Sequence, residues 1–361
     1  VALSFQLSSH NTVPNEFPKK IRVHAAVLIA LAVGIVIGAA LPSPLAERHV
    51  AQVAAAPTVA LTPSTVEPST TPSTEAPTTT ASPPPEPPAT APPAPRPAFV
   101  PALPTGKGMW IWQPEYVEQG DAPSIVARAQ ANGLTHLYVR MGSSVDGFTG
   151  GPFLDALLPV AHAGGIRIIG WDFPYLDDVQ VDVDRALQAI HYVTPTGDRI
   201  DAFSADIETP FEYVALTAYS AQEYGTWLRE GVGSTYPLIA TVPRPSPGRQ
   251  VDYPYPEVTW HFDAIAPMVY WIDQPSDEEA ANAVDYLSQF GKPVLPIGQA
   301  YDGGLEGGPP GTPTADEISA FINAADAHGA AGVSFWSWQH ASDEMWGAIG
   351  AAQEVGVKPT G

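Results

Sequence analysis

The stretch "RIDAFSADIETP", residues 199–210, decides how the rest of the chain is read. Side chains alternate along a strand, so Ala202, Ser204, Asp206 and Glu208 share one face, and Phe203, Ala205 and Ile207 share the other. The second face is apolar and suits packing under a layer of helices. The first runs from small to acidic, as it would inside a closed barrel with its last residues at the mouth. Pro210 then forbids further ladder donation. The stretch therefore predicts a buried strand that ends in two inward carboxylates.

Similar apolar runs lie on both sides of it. They are "GMWIW" (108–112), "HLYVRM" (136–141) and "IRIIGW" (166–171) before it, and "PLIATV" (237–242), "FDAIAPMVYW" (262–271), "PVLPIG" (293–298) and "AGVSFWSW" (331–338) after it. Helical segments alternate with them: "APSIVARAQANG", "VDVDRALQAIHYV", "SAQEYGTWLREG", "DEEAANAVDYLSQFG" and "ADEISAFINAADAHG". Several end on glycine, the expected residue just past a helix C-terminus. The segment "PRPSPGRQVDYPYPEVTW" is too rich in proline for a full helix and predicts an irregular crossover. Eight strands alternating with helices over residues 106–361 predict an α/β fold, a (β/α)8 TIM barrel. A doubly wound open sheet fits less well, because no glycine-rich phosphate loop follows a strand.

Charge and composition divide the chain before that barrel begins. Residues 1–105 carry five acidic and five basic side chains, so the whole net charge of −22 falls on residues 106–361. So acidic a surface repels phosphate backbones, which argues against a nucleic-acid partner. The chain has no cysteine, which excludes disulfides and thiolate chemistry. "AAVLIALAVGIVIGAAL" (25–41) follows Lys19, Lys20 and Arg22 and is about as long as a bilayer-spanning helix. The expectation is a cytoplasmic segment (1–22) and a single-pass signal anchor (23–41) in the cell membrane, with everything after it extracytoplasmic. A cleaved signal peptide, which would make the protein secreted, is the alternative. Residues 42–105 are rich in proline, threonine and alanine and read as a disordered linker. In extended form its densest part, 62–97, is a stalk on the order of 100 Å long.

In a TIM barrel, chemistry sits where strands meet the loops that follow them. Asp206 and Glu208 are the leading candidates. Two carboxyls in a confined mouth oppose each other's ionisation, so one keeps the proton a general acid needs. The other strand ends offer Trp110, Trp112, Arg140, Asp172, Tyr270, Trp271, Gln299, Tyr301, Trp336 and Trp338 as substrate-binding groups. Arg140 suits equally a salt bridge to the acids, and Asp172 a second acid or a loop cap. Aromatic faces stack on sugar rings, so tryptophans gathered at strand ends point to a carbohydrate. The nine histidines show no metal-binding spacing, no acid cluster resembles a calcium loop, and no G-x-S-x-G is present. No metal and no cofactor are expected.

The strand-four segment resembles the D-x-x-D-x-D-x-E signature of family-18 glycoside hydrolases, the chitinases and their relatives. Asp201, Asp206 and Glu208 match it, and Ser204 stands where the family has its second aspartate. Met268 and Tyr270 match the family's methionine and tyrosine on strand six, and Trp336 its tryptophan near the end of strand eight. Strand three, "RIIGWDF", lacks the family's S-x-G-G. The resemblance implies Glu208 as general acid, Asp206 orienting a 2-acetamido group that acts as nucleophile, Tyr270 bonding that group's oxygen, and Trp336 as the floor. The short D-x-E also resembles the family-25 muramidases. Either resemblance implies a hydrolase of an N-acetylated amino-sugar polymer, with peptidoglycan or a chitin-like polysaccharide as partner. The alternative is an inactive barrel that binds glycans as an adhesin or scaffold, which the substitution at Ser204 favours.

Overall fold

The computed structural model describes residues 101–306 and 308–356. The expected cytoplasmic segment (1–22), the expected anchor (23–41) and all but the last five residues of the expected linker (42–105) lie outside them. No helix among the described residues is long and apolar enough to cross a membrane.

Nine strands occur in chain order: β1 Gly106–Ile111, β2 Leu134–Ser143, β3 Gly147–Phe148, β4 Arg167–Phe173, β5 Ala202–Asp206, β6 Leu238–Pro243, β7 Ala264–Val269, β8 Ile297–Gln299 and β9 Gly332–Trp336. All but β3 run parallel and form one ring, in which β1 pairs with both β2 and β9. The eight-stranded TIM barrel is thus closed. Closure leaves the ring no edge of unpaired N–H and C=O groups. The ninth strand, β3, turns back antiparallel on β2 through Gly142↔Phe148.

The helices are α1 Ala122–Ala131, α2 Gly151–Ala163, α3 Val179–His191, α4 Ala218–Val232, α5 Arg249–Asp252, α6 Tyr255–Thr259, α7 Ser276–Ser288, α8 Ala315–Ala327 and α9 Asp343–Ala351. Their starts are set by side-chain caps. Asp121 accepts from Ser124 N, Thr217 from Ser220 N and Thr314 from Glu317 N, each satisfying a donor the first turn would leave open. The proline-rich crossover forms two short helices, α5 and α6, and α6 starts directly after Pro254. Helix α2 was not among the expected helices. It carries Pro159 in its interior, which masked its periodicity, yet Leu154, Leu157, Leu158 and Ala161 still bury one face.

Two apolar layers follow from the pleat of the ring. Trp110, Tyr138, Ile169, Trp171, Ala202, Ile239 and Leu295 are among the side chains that fill the inside, while Phe203, Ala205 and Ile207 pack outward with the helices. Trp110 stacks flat on Tyr138, with ring centroids 4.2 Å apart, and its indole N–H donates to Ser334 Oγ at 2.9 Å. Lower in the barrel, the imidazole of His136 occupies the space a Cβ on Gly108 would need, so only glycine fits there. Lys107 is buried, and its Nζ donates to the carbonyls of Ile349 and Ala352, both at 2.7 Å, tying β1 to the end of α9.

The side of the ring away from the strand ends holds a histidine between two acids. His162 Nδ1 lies 3.1 Å from Asp198 Oδ1, and Nε2 lies 3.1 Å from Asp201 Oδ2. Asp201 also accepts from Ile168 N at 2.8 Å, so the carboxylate matched to the start of the family signature fastens the entry of β5 to β4. Burial alone would lower the pKa of His162, but the hydrogen bonds and charges of Asp201 and Asp198 outweigh it and hold the group above the ordinary value of 6.5. The resulting stabilisation is complete below that ordinary value and is lost as pH rises through the raised one. In urea titrations, the gap in midpoint between wild type and His162→Asn should be widest near pH 6 and should narrow steadily as pH rises. A gap that stays constant or widens would contradict the assignment.

Candidate active site

Strand β5 delivers the acids. Asp206 pairs in register with Thr241 of β6, and Asp206, Glu208, Thr241 and Tyr270 open into one cavity of about 320 Å³. Trp110, Glu212, Met268, Ile297 and Trp336 complete its lining. Trp336 meets Trp110 edge-on at 6.0 Å and Trp171 at 5.6 Å, so the cavity rests on the aromatic filling of the barrel. Tyr301 is buried and stands edge-on to Tyr270 at 5.4 Å, which braces that phenol from behind. Gln299 is also buried. Its amide oxygen accepts from Ile272 N at 2.8 Å and its amide nitrogen donates to Tyr301 O at 3.1 Å, joining the loops after β7 and β8.

The segment after β5 is held from two sides. Thr209 caps a short 3-10 turn at Pro210–Glu212, and Glu212 reciprocates by accepting from both Thr209 N and Thr209 Oγ1. From the other side, Tyr253 donates its phenol proton to Ile207 O at 2.6 Å, between the two acids. Burial, and then the charges of Glu208 and Asp206, push the Tyr253 phenol far above its usual pKa, so it remains a donor at any working pH. Ser204, the neutral residue where the resembled signature has an aspartate, is fully buried and shares a hydrogen bond with Thr241 Oγ1 at 2.8 Å.

The other candidates fall in different places. Trp112 tilts against Trp336 at 6.4 Å and lines a neighbouring groove of about 570 Å³ together with Arg140 and Phe153. Arg140 there donates to Asp146 Oδ2 at 2.7 Å. Three residues expected at the mouth lie instead between the ring and its helices. Asp172 follows the inward Trp171, so the pleat turns it outward, where Arg185 Nε donates to it at 2.9 Å. Burial raises the Asp172 pKa to about 6, against the pull of Arg185. Trp271 follows the inward Tyr270 and packs on Phe321 at 5.3 Å. Trp338 lies two residues beyond the end of β9, where the chain has turned away. It packs edge-on against Trp346 at 4.6 Å and donates to Glu118 at 3.3 Å.

Glu212 and Thr241 were missed as lining residues. The T-x-x-E spacing of Thr209 to Glu212 is a capping box readable from sequence, and it would have placed Glu212 beside Glu208. Thr241 carries no such signal beyond the pleat parity of β6. Among the described residues, no group of three or more His, Asp or Glu side chains is arranged to hold a metal ion.

No family model matches the chain, and no curated protein matches it in sequence. Solved structures do match its fold. An endo-1,4-beta-mannanase from Rhizomucor miehei superposes with a TM-score of 0.50 at 10% identity, covering 64% of this chain and 86% of that one. The spore cortex-lytic enzyme SleL of Bacillus cereus gives 0.50 at 12% identity, covering 69% and 74%. A chitinase from Chromobacterium violaceum gives 0.47 at 14% identity, covering 69% and 99%. The fold that this chain shares with the mannanase and with SleL is therefore the TIM barrel.

The burial of Asp172 generates a test that separates structure from substrate contact. Asp172→Ala leaves the buried Arg185 with Asp182 as its one remaining acidic partner among the described residues. It should cost about 3 kcal/mol of stability in urea unfolding. A variant as stable as wild type but impaired in glycan binding would return Asp172 to the substrate-binding set.

Proposed function

We propose that this barrel is a glycoside hydrolase acting on an N-acetylated amino-sugar polymer of the peptidoglycan or chitin type. The observation that carries the reading is the meeting of Asp206, Glu208 and Tyr270 around one sugar-sized cavity at the strand ends, with Trp110 and Trp336 in its wall. Asp206 and Glu208 share that cavity, and two carboxyls so confined oppose each other's ionisation, which favours one that keeps its proton. Glu212 is already engaged by the Thr209 cap, which leaves proton transfer to the other two.

In the proposed reaction, Glu208 gives a proton to the glycosidic oxygen as its bond to the anomeric carbon breaks. The oxygen of the substrate's own 2-acetamido group bonds to that carbon, with Asp206 orienting the amide and Tyr270 donating to its oxygen. Water then attacks the anomeric carbon, and the Glu208 carboxylate accepts its proton, restoring both enzyme and acetamide. Trp336 supplies an apolar face for the sugar ring. An extracytoplasmic position on a membrane-anchored stalk, as the N-terminal sequence suggests, would bring the barrel to such a polymer in the cell wall.

A second reading is supported by Ser204. The resembled signature has an acid there, and the hydroxyl–hydroxyl pair of Ser204 and Thr241 supplies no charge to assist Asp206. On that reading the barrel binds glycan without cutting it. Glu208→Gln decides between the two. It should lower release of reducing ends from peptidoglycan or chitin oligomers by at least about 1000-fold while leaving the unfolding midpoint and glycan affinity in place. Wild-type protein that binds a glycan and releases nothing from it would establish the second reading.

A further inference from the structure

The back of the catalytic segment borders a second groove. Residues 206–212 form a thin wall: Asp206, Glu208 and Glu212 line the 320 Å³ cavity on one side, while Thr209, Pro210 and Phe211 line a groove of about 590 Å³ on the other. Leu216, Tyr253, Pro254, Arg249 and Asp252 continue that groove. Tyr253 joins the two, because its side chain lines the groove while its hydroxyl bonds the carbonyl between the acids.

Arg249 is the only cation in the lining of this groove. It is partly buried, it has no ion pair among the described residues, and its Nη1 is buried without a hydrogen-bond partner. Among the described residues, every other partly or fully buried arginine pairs with a carboxylate: Arg128, Arg140, Arg167, Arg185, Arg229 and Arg244. The remaining arginine, Arg199, is exposed. A guanidinium fork is built for two parallel bonds to a carboxylate, and an unmatched buried donor costs free energy. Asp252 lines the same groove but is exposed and forms no salt bridge with Arg249. The net charge of −22 makes an anion-binding group beside the acids a local exception to the field of the protein. Phe211, 83% exposed, adds an apolar face at the groove's edge.

We propose that this groove is a subsite for a carboxylate-bearing substituent of the glycan, which the Arg249 guanidinium holds by charge and hydrogen bonding while the sugar occupies the cavity of Asp206 and Glu208. The placement of the sugar rests on the hydrolase reading above. The favoured substrate is then an acidic amino-sugar polymer, with carboxylate groups on its side branches, over a neutral one. The neighbouring groove of Trp112 does not offer the same chemistry, because its arginine, Arg140, is already paired with Asp146.

The test uses the full chain carrying Glu208→Gln, so that ligand stays intact, and soluble peptidoglycan fragments in two forms. One form keeps its free carboxylates, and the other has them converted to methylamides. By calorimetry, the Glu208→Gln chain should prefer the carboxylate form by roughly 10- to 100-fold. Adding Arg249→Gln should bring that ratio close to one, and Arg249→Lys should keep several-fold of it, with circular dichroism reporting the fold of each. A ratio unchanged by Arg249→Gln, no preference at the outset, or failure to bind either form would overturn the subsite. Release of reducing ends by wild-type protein is read separately. An Arg249-dependent preference without release would leave the subsite standing and remove the hydrolase, and release without that preference would do the reverse.

Discussion

A parallel sheet that closes on itself has one inside, and each strand can fill it only with every second residue. Most of what is distinctive here descends from that restriction. The inside is taken up by Trp110, Tyr138, Trp171 and smaller aliphatic groups, which leaves no room for charge until the strands end. Asp206 is the last residue of β5, and Glu208 lies one pleat beyond, so the acids emerge where the aromatic filling stops. The same parity sends Phe203, Ala205 and Ile207 to the helix layer and anchors the strand from outside.

A site built at the end of a strand depends on what stiffens the chain after it. Here the turn after Glu208 is fixed by its own capping box, by Tyr253 on the Ile207 carbonyl, and by Ile207 N bonded to Thr241 O at 3.0 Å. Two of these contacts are local or come from the neighbouring strand, and the third comes from the crossover between α5 and α6. The acids are thus positioned by the ring, the first residues of the loop and that crossover. Tyr270 has comparable support from Tyr301, and the buried Gln299 links the loops beneath both.

Much of this was legible because period-two alternation survives in a single sequence. The eight runs, their parallel order and the inward face of β5 could all be read from residue type. The same parity also governs the strand ends. Trp171 and Tyr270 point inward, which sends Asp172 and Trp271 outward by the same rule that placed Asp206 inward. Trp338 could not be placed that way, since it lies past the last paired residue of β9, where the pleat no longer governs direction. Helix α2 was hidden by Pro159, and Arg249 by sitting in a crossover whose two short helices carry no periodic signal. Residues that act through a groove between loops leave little trace in local pattern.

The seam between β1 and β9 has a consequence for how the chain is made. Lys107 opens the ring and yet reaches carbonyls at Ile349 and Ala352, while Gly106 to Met109 hydrogen-bond along Gly332 to Phe335. A ribosome must therefore release nearly the whole barrel before its first strand meets its last partner. Until then the nascent sheet has two raw borders, and contacts so distant in sequence form slowly. The ring can be sealed only once β9 has been made, and the interval before that is when stray strands from other chains can intrude.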